Sequence, residues 1–520
     1  MSIISKINTY YHTLRYLKPI QVYYRVVLKV NQYISKGIDI EKLQYSTPFD
    51  LILKESIPYN ISDNKDEFLF LNLKKDFQGK IDWDYLEYGR LWTYNLNYFE
   101  YLDQIDYSKE EGERLINDFI DKLSINKIGF EPYPISLRSI NWIKFFVREK
   151  VNNDKYNRVL YYQMKLLTKK LEYHLLGNHL LENAFALLFG AYYFNDISFY
   201  KIAKKILIDE LDEQVLKDGG HFELSPMYHS IILFRLLDSY NLISNNNLFN
   251  SELKPLIKEK CELMIAWLNT ICFSNGDLPL LNDSALNIAP NLEQINAYAK
   301  NLGLDTNKKT LLKESGYRKF LNDKYEILLD VGKIGPDYQP GHSHADTFNF
   351  LLNVNNRPII VDTGISTYEV NQTRFHERST SAHNTVVVDN KNSSQVWAGH
   401  RVAKRNSVNI FIDEINHVKA SHNGYKDKGI THNRELLISD NEVEIIDTTN
   451  SKAIAYLHFH SNEDIKIENY KIIGKDYIIE FTGNVNIEMF DSYIAEEFNK
   501  HLNNKSIKVN FQNELITIIR

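Results

Sequence analysis

The segment from residue 341 to residue 385 concentrates imidazole and carboxylate side chains. In the motif GHSHAD, an extended backbone would place His342, His344 and Asp346 on one face, because alternate side chains of a strand share a side. Asp362 ends one apolar run and His383 precedes another, so neighbouring strands would bring both beside His344. Burying such a group without partners costs free energy. Two imidazoles and a carboxylate, with no thiolate nearby in sequence, form a plausible zinc-binding set.

Two earlier motifs carry further candidate groups. In GNHLLENA, Asn178 and His179 precede an apolar helical run, where Asn178 takes the position of a helix N-cap. In DGGHFELSPMYHSI, Ser225 followed by Pro226 predicts an N-cap with proline in the first helical position. Tyr228 then falls in the first turn, where free amide hydrogens and the helix dipole modestly favour a phenolate. Helix capping and a buried core tyrosine are the ordinary alternatives at these positions.

The elements that must position these groups fall into two halves. As far as about Leu304, apolar residues recur at helical spacing, in segments such as NWIKFFVREKV and NHLLENAFALLFGAYYF. After about Asp305, short β-branched runs such as YEILLDVG, PIIVDTG and NTVVVDN alternate with polar turns. We therefore expect a helical domain at residues 1–304 and an antiparallel β-sandwich at residues 305–520, with a ligand site in the cleft between them.

Composition narrows the functional classes. The 520 residues are 43% hydrophobic and 25% charged, which is typical of soluble globular proteins and excludes a disordered chain. The net charge of −6 argues against a nucleic-acid-binding protein. With only Cys261 and Cys272 in the sequence, a disulfide scaffold is excluded. No apolar stretch has the length of a transmembrane segment and no secretion signal is present, so we expect a cytoplasmic location, with a periplasmic or membrane-associated one left open.

The three motifs, in this order, resemble those of the heparinase II/III-like polysaccharide lyases. The resemblance extends from EPYPISLRSINWIKF to HRVAKR and is most specific in GHSHADTFNF, VDTG and RSTSAHNTV. It implies an α+β multidomain fold, an incomplete α/α toroid followed by an antiparallel β-sandwich. The family cleaves polysaccharides that contain uronic acid, and these are the partners that the resemblance implies. The residues that resemble the family's zinc ligands are His344, Asp362 and His383.

The implied reaction is a β-elimination that removes the C5 proton of a uronate and expels the oxygen at C4. Because that proton is barely acidic beside a charged carboxylate, the carboxylate must first be neutralised. By the resemblance, Asn178 and protonated His179 do so and hold the enediolate as an oxyanion hole does. Tyr228 resembles the catalytic tyrosine, which needs a depressed pKa because a free phenol has a pKa of about 10. His342 resembles the catalytic histidine, either as a base or as a partner of the phenolate.

The zinc ion would organise the edge of the β-domain and aim the loop that carries His342, since an elimination needs no activated water. Glu182 resembles a glutamate that acts in some members of the family. Arginine offers a planar fork to carboxylates, and the candidate arginines for substrate binding are Arg138, Arg374 and Arg378. Aromatic rings stack on sugars, and the candidate aromatics are Trp92, Tyr94, Tyr133, Trp142 and Trp397. Solvated arginines and core aromatics are the alternatives.

Three other functions compete with a lyase. A uronyl C5-epimerase of the same fold abstracts the same proton and returns one to the other face of the sugar. A non-catalytic glycan-binding protein would need the cleft without the chemistry. A zinc hydrolase would use the histidine and aspartate set to activate water. The sequence does not reveal the polymer, its sulfation or the oligomeric state.

Overall fold

The computed structural model describes residues 3–34, 40–59, 66–105 and 107–520. Its first part is mainly helical, as the sequence predicts. The α-helices of this part are α1 (Ile3–Leu14), α2 (Pro19–Ile34), α3 (Arg90–Tyr98), α4 (Lys109–Asp121), α5 (Pro132–Glu149), α6 (Asp154–Lys169), α7 (Gly177–Phe194), α8 (Ile197–Gln214), α9 (Pro226–Asn245), α10 (Lys254–Ile271) and α11 (Leu292–Asn301). A short helix, α12 (Gln372–Glu377), lies in the second part. Short 3-10 turns lie at Glu100–Asp103, Ile128–Phe130, Phe249–Ser251, Thr380–Ala382 and Lys426–Lys428.

Helix α7 lies at the centre of the helical part. It is buried on nearly every face, because its apolar residues extend around the whole helix, and it packs against α5, α6, α8 and α9. Helix α9 begins where the sequence predicts: the Ser225 hydroxyl accepts a hydrogen bond from the Tyr228 amide, and Pro226 occupies the first turn. The capped start of α9 fixes the direction in which Tyr228 leaves the helix.

The helical part also contains a small hairpin that the sequence analysis did not foresee. Strands β1 (Glu67–Phe70) and β2 (Leu73–Asp76) pair antiparallel. Phe68 and Phe70 turn into the helical core, where Phe70 contacts Trp92. Alternation over only four residues is too short a signal to separate from a turn.

The second part is built from antiparallel strands. They are β3 (Tyr317–Leu321), β4 (Tyr325–Asp330), β5 (Phe350–Val354), β6 (Arg357–Ile360), β7 (Val386–Val388), β8 (Val396–Trp397), β9 (Arg401–Val402), β10 (Val408–Glu414), β11 (His417–His422), β12 (His432–Ile438), β13 (Val443–His458), β14 (Lys466–Glu468), β15 (Lys471–Ile473), β16 (Ile478–Thr482), β17 (Val485–Glu497) and β18 (Lys500–Ile519).

Two sheets enclose the core of this part. The smaller has the order β3-β4-β5-β6, and the larger follows β10-β11-β12-β13-β18-β16-β15-β14. Strand β17 pairs with β18, and β7 pairs with β13 in the register Val388 to Ala453. Residues of both sheets, such as Leu329 and Leu436, share one hydrophobic cluster, as in a β-sandwich.

The connection between the two parts matters for the site. Helix α11 ends at Asn301 and β3 begins at Tyr317, so the change of structure falls near residue 304. The segment 331–349 is a series of turns and not the strand that the alternation of His342, His344 and Asp346 suggested. No α-helix in the described ranges is both long and apolar enough to cross a bilayer.

Candidate active site

A cavity of about 590 Å³ lies where the helical part meets the β-sandwich. Its wall contains the four side chains that the sequence singles out as catalytic. Asn178 and His179 come from the start of α7, Tyr228 from the start of α9, and His342 from the turns that precede β5. Residues far apart in the chain therefore meet in one cleft, which is the usual place for a ligand site.

Tyr228 and His342 lie in direct contact. Their rings stack with centroids 3.8 Å apart and an angle of 28° between the planes. The Tyr368 hydroxyl donates a hydrogen bond of 3.3 Å to the Tyr228 hydroxyl. Burial raises the pKa of Tyr228 above its usual value, and the hydrogen bond from Tyr368 opposes this only in part. The depressed pKa that a catalytic base would need is therefore not present in the free protein, in which Tyr228 is a neutral phenol near pH 7.

The orientation of His342 is fixed by Asp283, a fully buried carboxylate in the loop before α11. His342 Nδ1 donates to Asp283 Oδ2 over 2.9 Å, and His344 Nε2 donates to the other oxygen, also over 2.9 Å. Arg374 donates to both oxygens, at 2.5 and 2.7 Å. Burial opposes ionisation of Asp283, but Arg374 and the two histidines hold its pKa well below the usual range. Because a carboxylate only accepts hydrogen bonds, His342 carries a proton on Nδ1, and its Nε2 lies 3.5 Å from Glu223 Oε2.

Asn178 is held by a second buried carboxylate, that of Glu223. The Asn178 side-chain amide donates to Glu223 Oε1 and Oε2 at 3.1 and 2.9 Å, and its backbone amide donates to Oε1 at 3.1 Å. Asn178 is thus not the N-cap that the sequence suggested, because α7 already begins at Gly177. Gly177 has φ +60°, and a Cβ there would lie 2.7 Å from Glu223 Oε1, so this contact requires glycine. The Asn178 side-chain nitrogen thus donates to Glu223 alone among the described residues, at the wall of the cavity.

His179 lies at the cavity wall with 32% of its side chain exposed. Its Nδ1 donates to Glu172 Oε1 over 3.1 Å, and its ring contacts Tyr133. Burial alone would lower the pKa of His179, but the charge and hydrogen bond of Glu172 raise it above its usual value. A positively charged imidazolium next to Asn178 is a suitable partner for an anionic ligand.

Three predicted substrate-binding side chains do not fit that role, because their polar groups are satisfied inside the protein. Arg138 is fully buried and donates to the Gln163 side chain and to backbone carbonyls. Arg374 is committed to Asp283, as described above. Arg378 is buried and donates to four backbone carbonyls, which ties the loop of His342 to the β8–β9 hairpin. These arginines shape the site from behind.

The remaining predicted contacts divide between core and cleft. Trp142 and Trp92 are fully buried in the helical core, and Trp397 packs on α1, where its Nε1 donates to Thr13. Glu182 is also buried, close to Arg235 but without a hydrogen-bond partner in the described residues, and burial raises its pKa to about 7. The predicted aromatics that do line the cavity are Tyr94 and Tyr133.

The predicted zinc ligands lie on the sandwich side of this network. His383 Nδ1 donates to Asp362 Oδ2 over 2.8 Å, and the rings of His344 and His383 lie 5.3 Å apart. Burial lowers the pKa of His344 to about 3, so this imidazole is neutral. Since one nitrogen of each histidine donates to a carboxylate, the other nitrogens, His344 Nδ1 and His383 Nε2, are buried without a partner among the described residues. Asp346 Oδ2 nearby is likewise unpartnered.

A different group of residues has the spacing of metal ligands. One donor atom each of Asp283, His342 and His400 lies within 4.8 Å of the others, so this cluster, in which Asp283 is buried and His400 is exposed, could hold a metal ion. It borders the cavity directly. Among the described residues it is the one group of three histidine, cysteine, aspartate or glutamate side chains with this spacing, and the predicted set His344, Asp362 and His383 does not reach it.

The sequence analysis missed several residues on which the site depends. Asp283 and Glu172 lie in loops where aspartate and glutamate are common, so their types carry no local signal. Glu223 stands inside the motif DGGHFELSPMYHSI, two residues before the helix cap, but its target Asn178 lies 45 positions earlier. Tyr368 also gives no periodic signal. Only the folded chain shows that these groups reach the four predicted side chains.

Comparison with known proteins places this architecture in a family. The heparinase II/III N-terminus model matches residues 136–308, and the heparinase II/III-like C-terminal model matches residues 305–497. The chain therefore belongs to the heparinase II/III-like family. The two models together cover every predicted catalytic residue, and residues before 136 lie outside them.

Two relatives carry the name heparin-sulfate lyase. The one from Bacteroides stercoris is 26% identical over 298 residues, which are 52% of this chain and 43% of that protein. The one from Pedobacter heparinus is 27% identical over 245 residues, which are 42% and 36% of the two chains. The matched part of this chain thus spans less than half the length of either relative.

Solved structures confirm the fold class. A heparinase III crystal structure aligns with a TM-score of 0.66 at 15% identity, over 96% of this chain and 91% of that one. A heparan sulfate lyase from Pedobacter heparinus aligns with a TM-score of 0.56 at 17% identity, over 86% and 79%. The helical part is accordingly a toroid of the heparinase III type, followed by a β-sandwich.

Proposed function

We propose that this protein is a polysaccharide lyase that cleaves a uronic-acid-containing glycan by β-elimination. The observation that carries the proposal is the convergence of Asn178, His179, Tyr228 and His342 on one cavity between the two domains. The names of the two relatives point to a sulfated glycosaminoglycan as the substrate class.

The geometry supports a division of roles among these groups. The Asn178 amide and the imidazolium of His179 neutralise the uronate carboxylate and stabilise the enediolate, typically by a few kcal/mol for each donor. His342, with its proton held at Nδ1 by Asp283, accepts the C5 proton at Nε2. Tyr228, a neutral phenol stacked on His342, donates its proton to the leaving oxygen at C4. Proton transfers by positioned groups contribute about 10²- to 10⁴-fold each.

We further propose that a structural zinc ion is bound by His344, Asp362 and His383. Support comes from the two buried imidazole nitrogens without partners among the described residues, and from Asp283, which orients His344 through its other nitrogen, as in many metal sites. When bound, zinc would hold the sandwich edge together behind His342. Metal analysis tests the assignment: His383→Ala should lose the metal and His400→Ala should keep it, whereas the reverse would place the ion in the cluster of Asp283.

The decisive experiment is an assay on a panel of uronate polymers, namely alginate, heparosan, heparan sulfate and bacterial capsule polymers. A lyase generates an unsaturated end group that absorbs in the ultraviolet. Tyr228→Phe removes only the hydroxyl and should lower kcat by at least 10²-fold while the protein still binds the polymer. Incorporation of solvent deuterium at C5 without cleavage would identify an epimerase instead, and binding without either reaction would leave a glycan-binding protein.

A further inference from the structure

The cavity wall contains four arginines, of which two have carboxylate partners and two do not. Arg235 lies against Glu182 and Glu100, and the Arg405 Nη1 lies 3.2 Å from Asp337 Oδ1. Arg25 and Arg401 line the same cavity, yet neither has a carboxylate within 4.0 Å among the described residues. Two guanidinium groups thus face the cleft without a counter-ion.

Arg25 is held in the wall by the packing of its helix. Gln21, one turn earlier on α2, is buried and donates to the Leu175 carbonyl over 3.1 Å. Tyr24 stacks on Tyr173 with ring centroids 4.7 Å apart. Both contacts attach α2 to the loop just before α7. Helix α7 carries Asn178 and His179. Arg25 is partly buried as a result, and its position relative to those two residues is fixed.

Arg401 reaches the cavity from the other domain. It pairs with Trp397 in the β8–β9 hairpin, and its guanidinium carbon lies 5.6 Å from the centre of the Trp397 ring. Trp397 in turn donates to Thr13 on α1. The hairpin and the N-terminal helices therefore close one end of the cleft together, and each supplies one arginine to it.

Two like charges in one cleft disfavour each other unless an anion lies between them. Burial, and after it the positive charge of Arg401, lower the pKa of Arg25 below its usual value. Guanidinium groups present a planar fork that fits carboxylates and sulfate esters. Both arginines line the ligand cavity, where a bound anion would balance their charge.

We propose that Arg25 and Arg401 form a subsite for an anionic substituent, a sulfate ester or a second carboxylate, on a sugar that lies beside the one undergoing elimination. This inference rests on the proposed function, because it assumes that a uronate glycan occupies the cleft. It makes the N-terminal helices, which lie outside the segments matched by the family, part of the recognition of the substrate.

Arg25→Gln and Arg401→Gln test the subsite, and Lys29→Gln is the matched control because it removes an exposed positive charge from the same helix outside the cavity. Each arginine variant should raise KM by roughly tenfold to a hundredfold, the range expected for a lost charge-assisted hydrogen bond, with kcat within about twofold. Lys29→Gln should leave both constants unchanged. Loss of an unpaired charge should also leave the free protein as resistant to urea as the wild type.

A sulfated polymer and its chemically desulfated form separate the two anions. An effect seen only with the sulfated polymer assigns the subsite to sulfate, and an equal effect with both assigns it to a carboxylate. Unchanged KM in both arginine variants, or an equal change in Lys29→Gln, overturns the inference. If the wild type cleaves no polymer, the proposed function fails, and calorimetric binding of the same oligosaccharides to wild type and Arg25→Gln then decides whether the subsite exists.

Discussion

Asp283→Asn tests whether the buried carboxylate positions the catalytic histidine. Asparagine has the same shape but keeps one acceptor oxygen and gains an NH₂ group. Asp283 accepts from His342 on one oxygen and from His344 on the other, while Arg374 donates to both. Whichever way the amide turns, its NH₂ group meets a donor. The variant therefore leaves Arg374 buried without a counter-ion and releases the Nδ1 proton of His342.

Two magnitudes follow from these contacts. Breaking a buried ion pair on one side costs roughly 3 to 5 kcal/mol, so the free energy of unfolding should fall by about that amount. Loss of the correct tautomer and position of His342 should lower kcat/KM by about 10²- to 10⁴-fold. Because Tyr228 and Asn178 do not touch Asp283, binding of the polymer should weaken far less than turnover.

Ultraviolet absorbance of the unsaturated product gives kcat and KM, and urea unfolding gives the stability. Asp413→Asn is the control, because Asp413 also pairs with an arginine, Arg318, but lies away from the cleft. If Asp283→Asn is too unstable to assay, Asp283→Glu keeps the charge and displaces the carboxylate, and a shift of about 1 Å should still cost about 10²-fold. A folded Asp283 variant that keeps kcat/KM within threefold of the wild type would refute the positioning role.

Three shorter predictions address other parts of the structure. Glu172→Gln removes the group that raises the pKa of His179, so the alkaline fall of kcat/KM should move to lower pH. The protonated form of His179 and its stabilising contact with Glu172 are complete below about pH 6.5 and are lost as pH rises through the folded-state pKa. A pH profile that does not move would contradict this role of Glu172. Arg138→Met should lower the free energy of unfolding by roughly 3 kcal/mol or more in a denaturant titration, because the hydrogen-bond partners of Arg138 lie inside the protein. The KM should not change. A raised KM at unchanged stability would restore the substrate-binding role. If zinc is held by His344 and His383 only as a structural ion, chelation should lower the thermal midpoint of unfolding. The kcat should then stay within twofold at temperatures where the protein remains folded. Loss of all turnover in a folded protein would favour the hydrolase.

Local sequence determined much of the architecture. Apolar periodicity separated the helical half from the β-rich half, because the two spacings differ and each was sustained over long segments, but it did not reveal the β1–β2 hairpin. The cap at Ser225 and Pro226 was correct, because a cap depends on neighbours within one turn. The motifs around His342 and Asn178 also sufficed to recognise the family, which the comparisons confirm.

Tertiary structure decided what each polar side chain does. Arg138 and Arg25 look alike in sequence, yet the partners of Arg138 lie at positions 97, 129 and 163 and bury it, while Arg25 meets no carboxylate and faces the cleft. The stacking of Tyr228 on His342 and the links through Asp283 join segments that lie more than 50 residues apart. Burial, charge pairing and pKa depend on such distant neighbours, so residue type and spacing could nominate the catalytic groups but could not assign their protonation or their partners.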